Sequence, residues 1–128
     1  MALRDQLRIM VVDDMSTSRG LIVQALESFG IRNINAAADG PSALQALSSS
    51  PVHLVLSDYN MPGMDGLGLL QSLRGSPATA KVGFLLITGR ADADIVNRGR
   101  QLGMNNMITK PFEPAQLKGA IEAIVGPL

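Results

Sequence analysis

The sequence predicts an α/β fold, a parallel sheet with helices on both faces, and three observations predict it. Five short apolar runs are mostly continuous rather than alternating, as strands covered on both sides must be. Stretches with apolar residues at three- and four-residue spacing lie between them. The two patterns alternate along the chain, which is how a strand–helix–strand architecture is written.

The strand candidates are Leu7–Val12, Asn33–Ala37, His53–Ser57, Gly83–Ile87 and Asn106–Ile108. After the first, Leu21, Ile22, Ala25, Leu26 and Phe29 share one helical face, and Gly30 offers a left-handed stop. Pro41 suits a first helical turn ahead of Ala43, Leu44 and Leu47. Asp65 can cap a helix that carries Leu69, Leu70 and Leu73 and ends at Gly75. A helix over 91–103 has Asn97 and Gly99 in its interior, and a glycine there costs about 1 kcal/mol relative to alanine. It is expected to be the least stable helix, suited to a moving surface or merely exposed. Pro114 opens the last helix, with Leu117, Ala120, Ile121 and Ile124 inward.

Composition removes several classes of function. The 128 residues have the usual size of one domain, expected to span 1–128. There is no cysteine, so thiol catalysis, redox motifs and zinc fingers are excluded. Eleven basic residues balance eleven acidic ones, against non-specific attraction to nucleic acid or to a membrane surface. Three Phe, one Tyr and no Trp supply few stacking platforms for bases or flavins. The first ten residues lack a basic region followed by an apolar run, and no stretch approaches the roughly 20 apolar residues of a spanning helix. A cytoplasmic location is expected.

The chemistry gathers at strand ends. The first strand runs into Asp13-Asp14 and the third into Asp58. In such sheets, ligands bind beyond the carboxyl ends of the strands where strand order reverses. If these strands are neighbours, three carboxylates share one crevice, and their repulsion calls for a cation. An all-oxygen set suits Mg²⁺, and a carboxylate beside it can act as a nucleophile toward phosphorus. The fourth strand ends at Thr88, and the fifth is followed by Lys110, a point charge able to meet a phosphoryl oxygen. Taken singly, Asp14 would also serve as a helix cap, Asp58 as a turn residue, Thr88 as a turn hydroxyl and Lys110 as a solvated loop lysine. Together at four carboxyl ends they form one pattern. The crowding also leads us to expect that Asp13→Asn or Asp14→Asn stabilises the metal-free protein.

Over essentially its whole length the chain resembles the receiver domains of two-component response regulators, of the single-domain, CheY-like type. The resemblance is carried by Val11-Val12-Asp13-Asp14, the run Asp58-Tyr59-Asn60-Met61-Pro62-Gly63-Met64-Asp65-Gly66, Thr88-Gly89 and Lys110-Pro111-Phe112. It implies a doubly wound, flavodoxin-like sheet of five parallel strands in the order 2-1-3-4-5, flanked by five helices. It implies Asp58 as phosphoacceptor, Asp14 as direct metal ligand, Asp13 as its acidic partner acting through water, and the backbone carbonyl of Asn60 as a further ligand. Thr88 and Lys110 match the switch hydroxyl and the phosphate-binding lysine, and the Lys110–Pro111 bond is commonly cis in this family.

Two positions depart from the family pattern. Met107 stands where an aromatic usually rotates inward on activation; a thioether would repack instead. Arg90, two residues after Thr88, occupies a position that influences phosphoryl lifetime, and can face either the acyl phosphate or solvent. The resemblance implies a stand-alone regulator, with chemotaxis as one expected setting, phosphorylated by a histidine kinase or phosphotransfer protein and expected to be monomeric. Its output would leave through the face of the fourth strand, the helix over 91–103 and the fifth strand. The runner-up is a phosphorelay intermediate that passes its phosphate to a second histidine protein. A haloacid-dehalogenase-type phosphatase fits less well, since Met15 and Ser16 follow the acidic pair in place of the Asp-x-Asp arrangement. A flavodoxin-like flavin carrier lacks a Ser/Thr-Gly phosphate cradle after the first strand.

Overall fold

Apolar residues at both odd and even positions of each inner strand bury two faces, and the structure uses both. The computed structural model describes residues 2–90 and 92–128. Its strands are β1 (Arg8–Val12), β2 (Asn33–Ala37), β3 (Leu54–Asp58), β4 (Gly83–Thr88) and β5 (Asn106–Thr109). They pair in parallel in the order β2-β1-β3-β4-β5. Among the described residues the helices are α1 (Leu3–Gln6), α2 (Ser16–Ser28), α3 (Gly40–Ser49), α4 (Gly66–Arg74), α5 (Ala93–Leu102) and α6 (Pro114–Val125). Five flank the sheet as expected. The sixth, α1, is a single turn ahead of β1 and buries no residue, so no apolar periodicity announced it. Met1 and Ala91, which begin the expected leader-free stretch and the helix over 91–103, lie outside the described residues.

Ile9 and Val11 of β1, Leu54 and Leu56 of β3 and Leu85 and Ile87 of β4 pack with Ile22 and Leu26 of α2 and Leu117 and Ile121 of α6. The residues between them, Met10, Val12, Val55, Phe84 and Leu86, pack with Ala43 and Leu47 of α3, the leucines of α4 and Ile95 of α5. Two helices thus cover one face and three the other, the doubly wound arrangement. Burying a leucine or isoleucine on either side contributes about 1.5–3 kcal/mol.

Register sets the carboxyl ends level. Val12 pairs with Ser57, Asp58 with Ile87, and Thr88 with Thr109. Because β1 connects outward to β2 while β3 lies on its other side, the chain parts above β1 and β3 and leaves a crevice there. The Asp65 side chain caps α4 by accepting from Gly68 N at 2.8 Å, and Gly30 closes α2 with a φ of 87°.

The helix expected over 91–103 is better built than its composition suggests. Asp92 accepts from Ile95 N at 2.9 Å, Asp94 and Arg98 pair across one turn at 3.5 Å, and Gly103 ends it in the left-handed region. Asn97 is exposed, whereas Gly99 is buried, and the Met104 side chain lies across the space its Cβ would fill. Gly99 is there for close approach.

Candidate functional site

Asp13 directly follows β1, its backbone N–H bonded to Ala37 O at 3.1 Å, and its side chain is fully buried. Asp14 is exposed at the rim, and Asp58, the last residue of β3, keeps 7% of its surface. Carboxylate oxygens of all three lie within 4.8 Å of one another. Asn60 sits in the loop two residues beyond β3, exposed. That loop is pinned by Gly66 N donating to Tyr59 O at 2.8 Å, and Gly66 has no room for a Cβ against the Asp58 carbonyl.

Lys110 enters from the far strand over a cis peptide bond to Pro111. Its backbone N–H is anchored on Thr88 O at 2.8 Å. Nζ lies 2.8 Å from Ser18 Oγ, 3.1 Å from Asp13 Oδ2 and 3.4 Å from Asp58 Oδ1. Burial pushes the Asp58 carboxyl above its ordinary value; Lys110 opposes this and the neighbouring Asp13 adds to it. Burial prevails because one ammonium is divided between two carboxylates, and Asp13 holds the closer share.

Thr88, also buried, spends its hydroxyl on the turn that follows, accepting from Arg90 N at 3.0 Å and donating to Arg90 O at 3.1 Å. The Arg90 side chain points outward and pairs with Asp92 at 3.0 Å, so of its two expected settings the structure has the solvent-facing one. Met107 is half-buried against the core beneath α3, α4 and α5. Tyr59, next to Asp58, packs on that same core, and its side chain, together with Asp94, holds Arg98 of α5 above its ordinary pKa.

All the site residues expected from the sequence therefore lie at or beside the carboxyl edge of the sheet, and Asp13, Asp14, Asp58 and Lys110 meet directly. Three partners were not foreseen. Ser18 donates a short hydrogen bond to Asp13 Oδ2, Arg19 donates to the Asp13 carbonyl at 2.8 Å, and the buried Ser57 hydroxyl donates to the Asp58 carbonyl at 2.8 Å. Ser18 and Arg19 belong to the first turns of α2, which start at Ser16, five residues before the apolar stripe begins. The signal available was geometric: a helix that follows β1 must bring its first turn over the end of that strand.

Three carboxylates against one ammonium leave two negative charges uncompensated in the crevice, a donor set and a charge that fit one divalent, oxygen-preferring cation. Among the described residues no helix is long and apolar enough to cross a membrane.

Comparison with known proteins agrees with this geometry. The model of the response regulator receiver domain matches residues 9–122. A probable chemotaxis protein CheY of Rhizobium etli is 42% identical over 128 residues, covering 100% of this chain and 99% of that protein. Chemotaxis protein CheY-3 of Vibrio cholerae is 35% identical over 122 residues, 95% of this chain and 94% of that one. The receiver domain of a sensor histidine kinase from Pseudomonas aeruginosa PAO1, solved with a magnesium ion coordinated in its active site cleft, superposes with a TM-score of 0.85 at 26% identity, covering 94% of this chain and 98% of that one. With five parallel strands in this order, an acidic crevice where the order reverses, and relatives that align from end to end, the chain belongs to the response regulator receiver family and is CheY-like.

Proposed function

We propose that the protein is a stand-alone response regulator that accepts a phosphoryl group on Asp58 from a histidine kinase or phosphotransfer protein and passes the signal to a partner by changing shape. The observation that carries this reading is the meeting of Asp13, Asp14 and Asp58 within 4.8 Å, with Lys110 as the shared ammonium. Asp13, Asp14, Asp58 and the Asn60 carbonyl would hold Mg²⁺, which when bound neutralises charge on the incoming group. Asp58 supplies the nucleophilic oxygen from its position at a strand terminus, beside Asp13, Asp14 and Lys110. Lys110 meets the charge that develops on the phosphoryl oxygens. Thr88 can leave the Arg90 backbone and donate to a phosphoryl oxygen, since a hydroxyl rotor gives up only a turn contact.

Phosphorylation adds close to two negative charges and strong acceptors. Drawing Thr88 and Lys110 inward moves the ends of β4 and β5, and with them the face that these strands form with α5. The protein partner would dock there. The chemotaxis names of the relatives support a role in chemotaxis; the same reading makes the protein a cytoplasmic monomer with one domain over residues 1–128. The domain would catalyse its own phosphorylation and dephosphorylation, as part of a signalling rather than a metabolic family. Incubation with acetyl phosphate and Mg²⁺ followed by intact-mass measurement tests the proposal. One phosphoryl group should appear on the wild type and none on Asp58→Ala; an unmodified wild type, or a variant modified as well, would refute it.

A further inference from the structure

The Lys110 ammonium carries three N–H donors on a bond that rotates freely in solution. Here three acceptors surround it, and they differ in how firmly they are held. Asp13 is buried, accepts from Met15 N at 3.0 Å and takes the short bond from Ser18. Ser18 is half-buried in the first turn of α2 and presents its lone pair to Lys110 at 2.8 Å. These two contacts close a ring of Ser18, Asp13 and Lys110. The third and longest contact, 3.4 Å, is to Asp58, the group whose charge and size change in the reaction.

We infer that Ser18 is a positioning residue for the reaction at Asp58, one that fixes the rotation of the Lys110 ammonium so that its remaining N–H points at the phosphoryl site. The inference rests on the phosphoacceptor reading above and deepens it. With two donors engaged by Ser18 and Asp13, tetrahedral geometry directs the third toward Asp58. Without the serine hydroxyl, Asp13 is the only fixed partner, and Lys110 turns about that single contact. In the step concerned, an Asp58 oxygen bonds to the phosphorus of acetyl phosphate while the bridging P–O bond breaks, and its electron pair leaves on acetate without a proton transfer. Charge on the phosphoryl oxygens then meets an N–H already aimed at it.

The test is phosphorylation kinetics of Ser18→Ala and Ser18→Thr by acetyl phosphate with Mg²⁺, read by intact mass, in both wild-type and Lys110→Ala backgrounds. Loss of a hydrogen bond to a charged group predicts a rate about tenfold lower for Ser18→Ala. Ser18→Thr, which keeps the hydroxyl, should restore the rate. In Lys110→Ala the same serine change should alter the rate by less than about twofold, the signature of coupled residues. A second readout needs no metal and no turnover. The chain has three lysines, and with lysine side chains labelled with ¹⁵N the Lys110 ammonium should give a slowly exchanging signal in chelator for wild type and Ser18→Thr, and none for Ser18→Ala. An unchanged rate in Ser18→Ala, an equal loss in both Lys110 backgrounds, or a Lys110 signal indifferent to Ser18 would overturn the inference. If the wild type itself takes up no phosphate while the Lys110 signal follows Ser18, the failure lies with the phosphoacceptor reading, and the role assigned here in that reaction falls with it.

Discussion

At the scale of single residues, three carboxylates that look equivalent in the sequence are separated by their surroundings. Asp13 is buried but served by a backbone N–H, a hydroxyl and an ammonium. Asp14 is exposed, and Asp58 is buried with a long, shared partner. The expectation that relieving acidic crowding at Asp13 stabilises the metal-free protein is therefore revised, because Asp13→Asn deprives Lys110 of its closest ion pair. We expect that variant to lose about 1–3 kcal/mol, measured by urea unfolding in chelator. Asp58 behaves in the opposite way. Its pKa is raised in the folded state, so between the ordinary 3.8 and the raised value the native protein binds more protons than the unfolded chain. Stability contributed by the protonated form is present at the acidic end of that window and is lost as pH rises through it. Asp58→Asn should be more stable than wild type near neutrality and should flatten that part of the stability–pH curve. Equal slopes in the two proteins would contradict the assignment. The identities of these residues were legible from strand ends, and the family resemblance implied separate roles for them; their unequal hydrogen-bond partners were not legible, because donors such as Ser18 come from a first helical turn without apolar residues.

At the scale of elements, α5 shows how propensity can mislead. Gly99 lowers helix propensity, yet it is the place where Met104 crosses the helix, so the sequence penalty is offset by a contact invisible in one dimension. Gly99→Ala should destabilise while Met104 is present and stabilise by up to about 1 kcal/mol in a Met104→Ala background, a sign change that a double-mutant cycle in thermal or urea melts will show. The end of α5 is secured by Arg74 at the end of α4, whose guanidinium donates to Ala80 O at 3.1 Å, Val82 O at 2.6 Å, Gly103 O at 2.9 Å and Asn105 Oδ1 at 3.2 Å. Asn105 in turn accepts from Phe84 N at 2.8 Å. Replacing Arg74 by Gln strands several of these acceptors and should cost about 2 kcal/mol in urea unfolding. Nothing in the order of residues pointed to Arg74, since three of its four acceptors are main-chain oxygens and only the tertiary fold brings all four to one place.

At the scale of the whole molecule, the type and order of the elements were legible because each inner strand buries two faces and each flanking helix one. The single turn α1 and the early start of α2 were not, because neither buries an apolar stripe that periodicity could detect. Folding the chain assembles the acidic crevice from strands far apart in sequence, so a cation bound there is linked to the stability of the entire fold. Mg²⁺ should raise the melting temperature, with a stabilisation that grows with the logarithm of its concentration to about 2.7 kcal/mol at a hundredfold excess over the dissociation constant. Chelator should reverse the effect, sodium at equal ionic strength should not reproduce it, and Asp58→Asn should blunt it. The seat of Tyr59 has a further, optical consequence. The chain has one tyrosine and no tryptophan, so its tyrosine emission arises from a single ring that follows Asp58 and packs on the core shared with α5. Light from that ring reports at once on the crevice and on the helix behind it, so the unlabelled protein carries its own fluorophore.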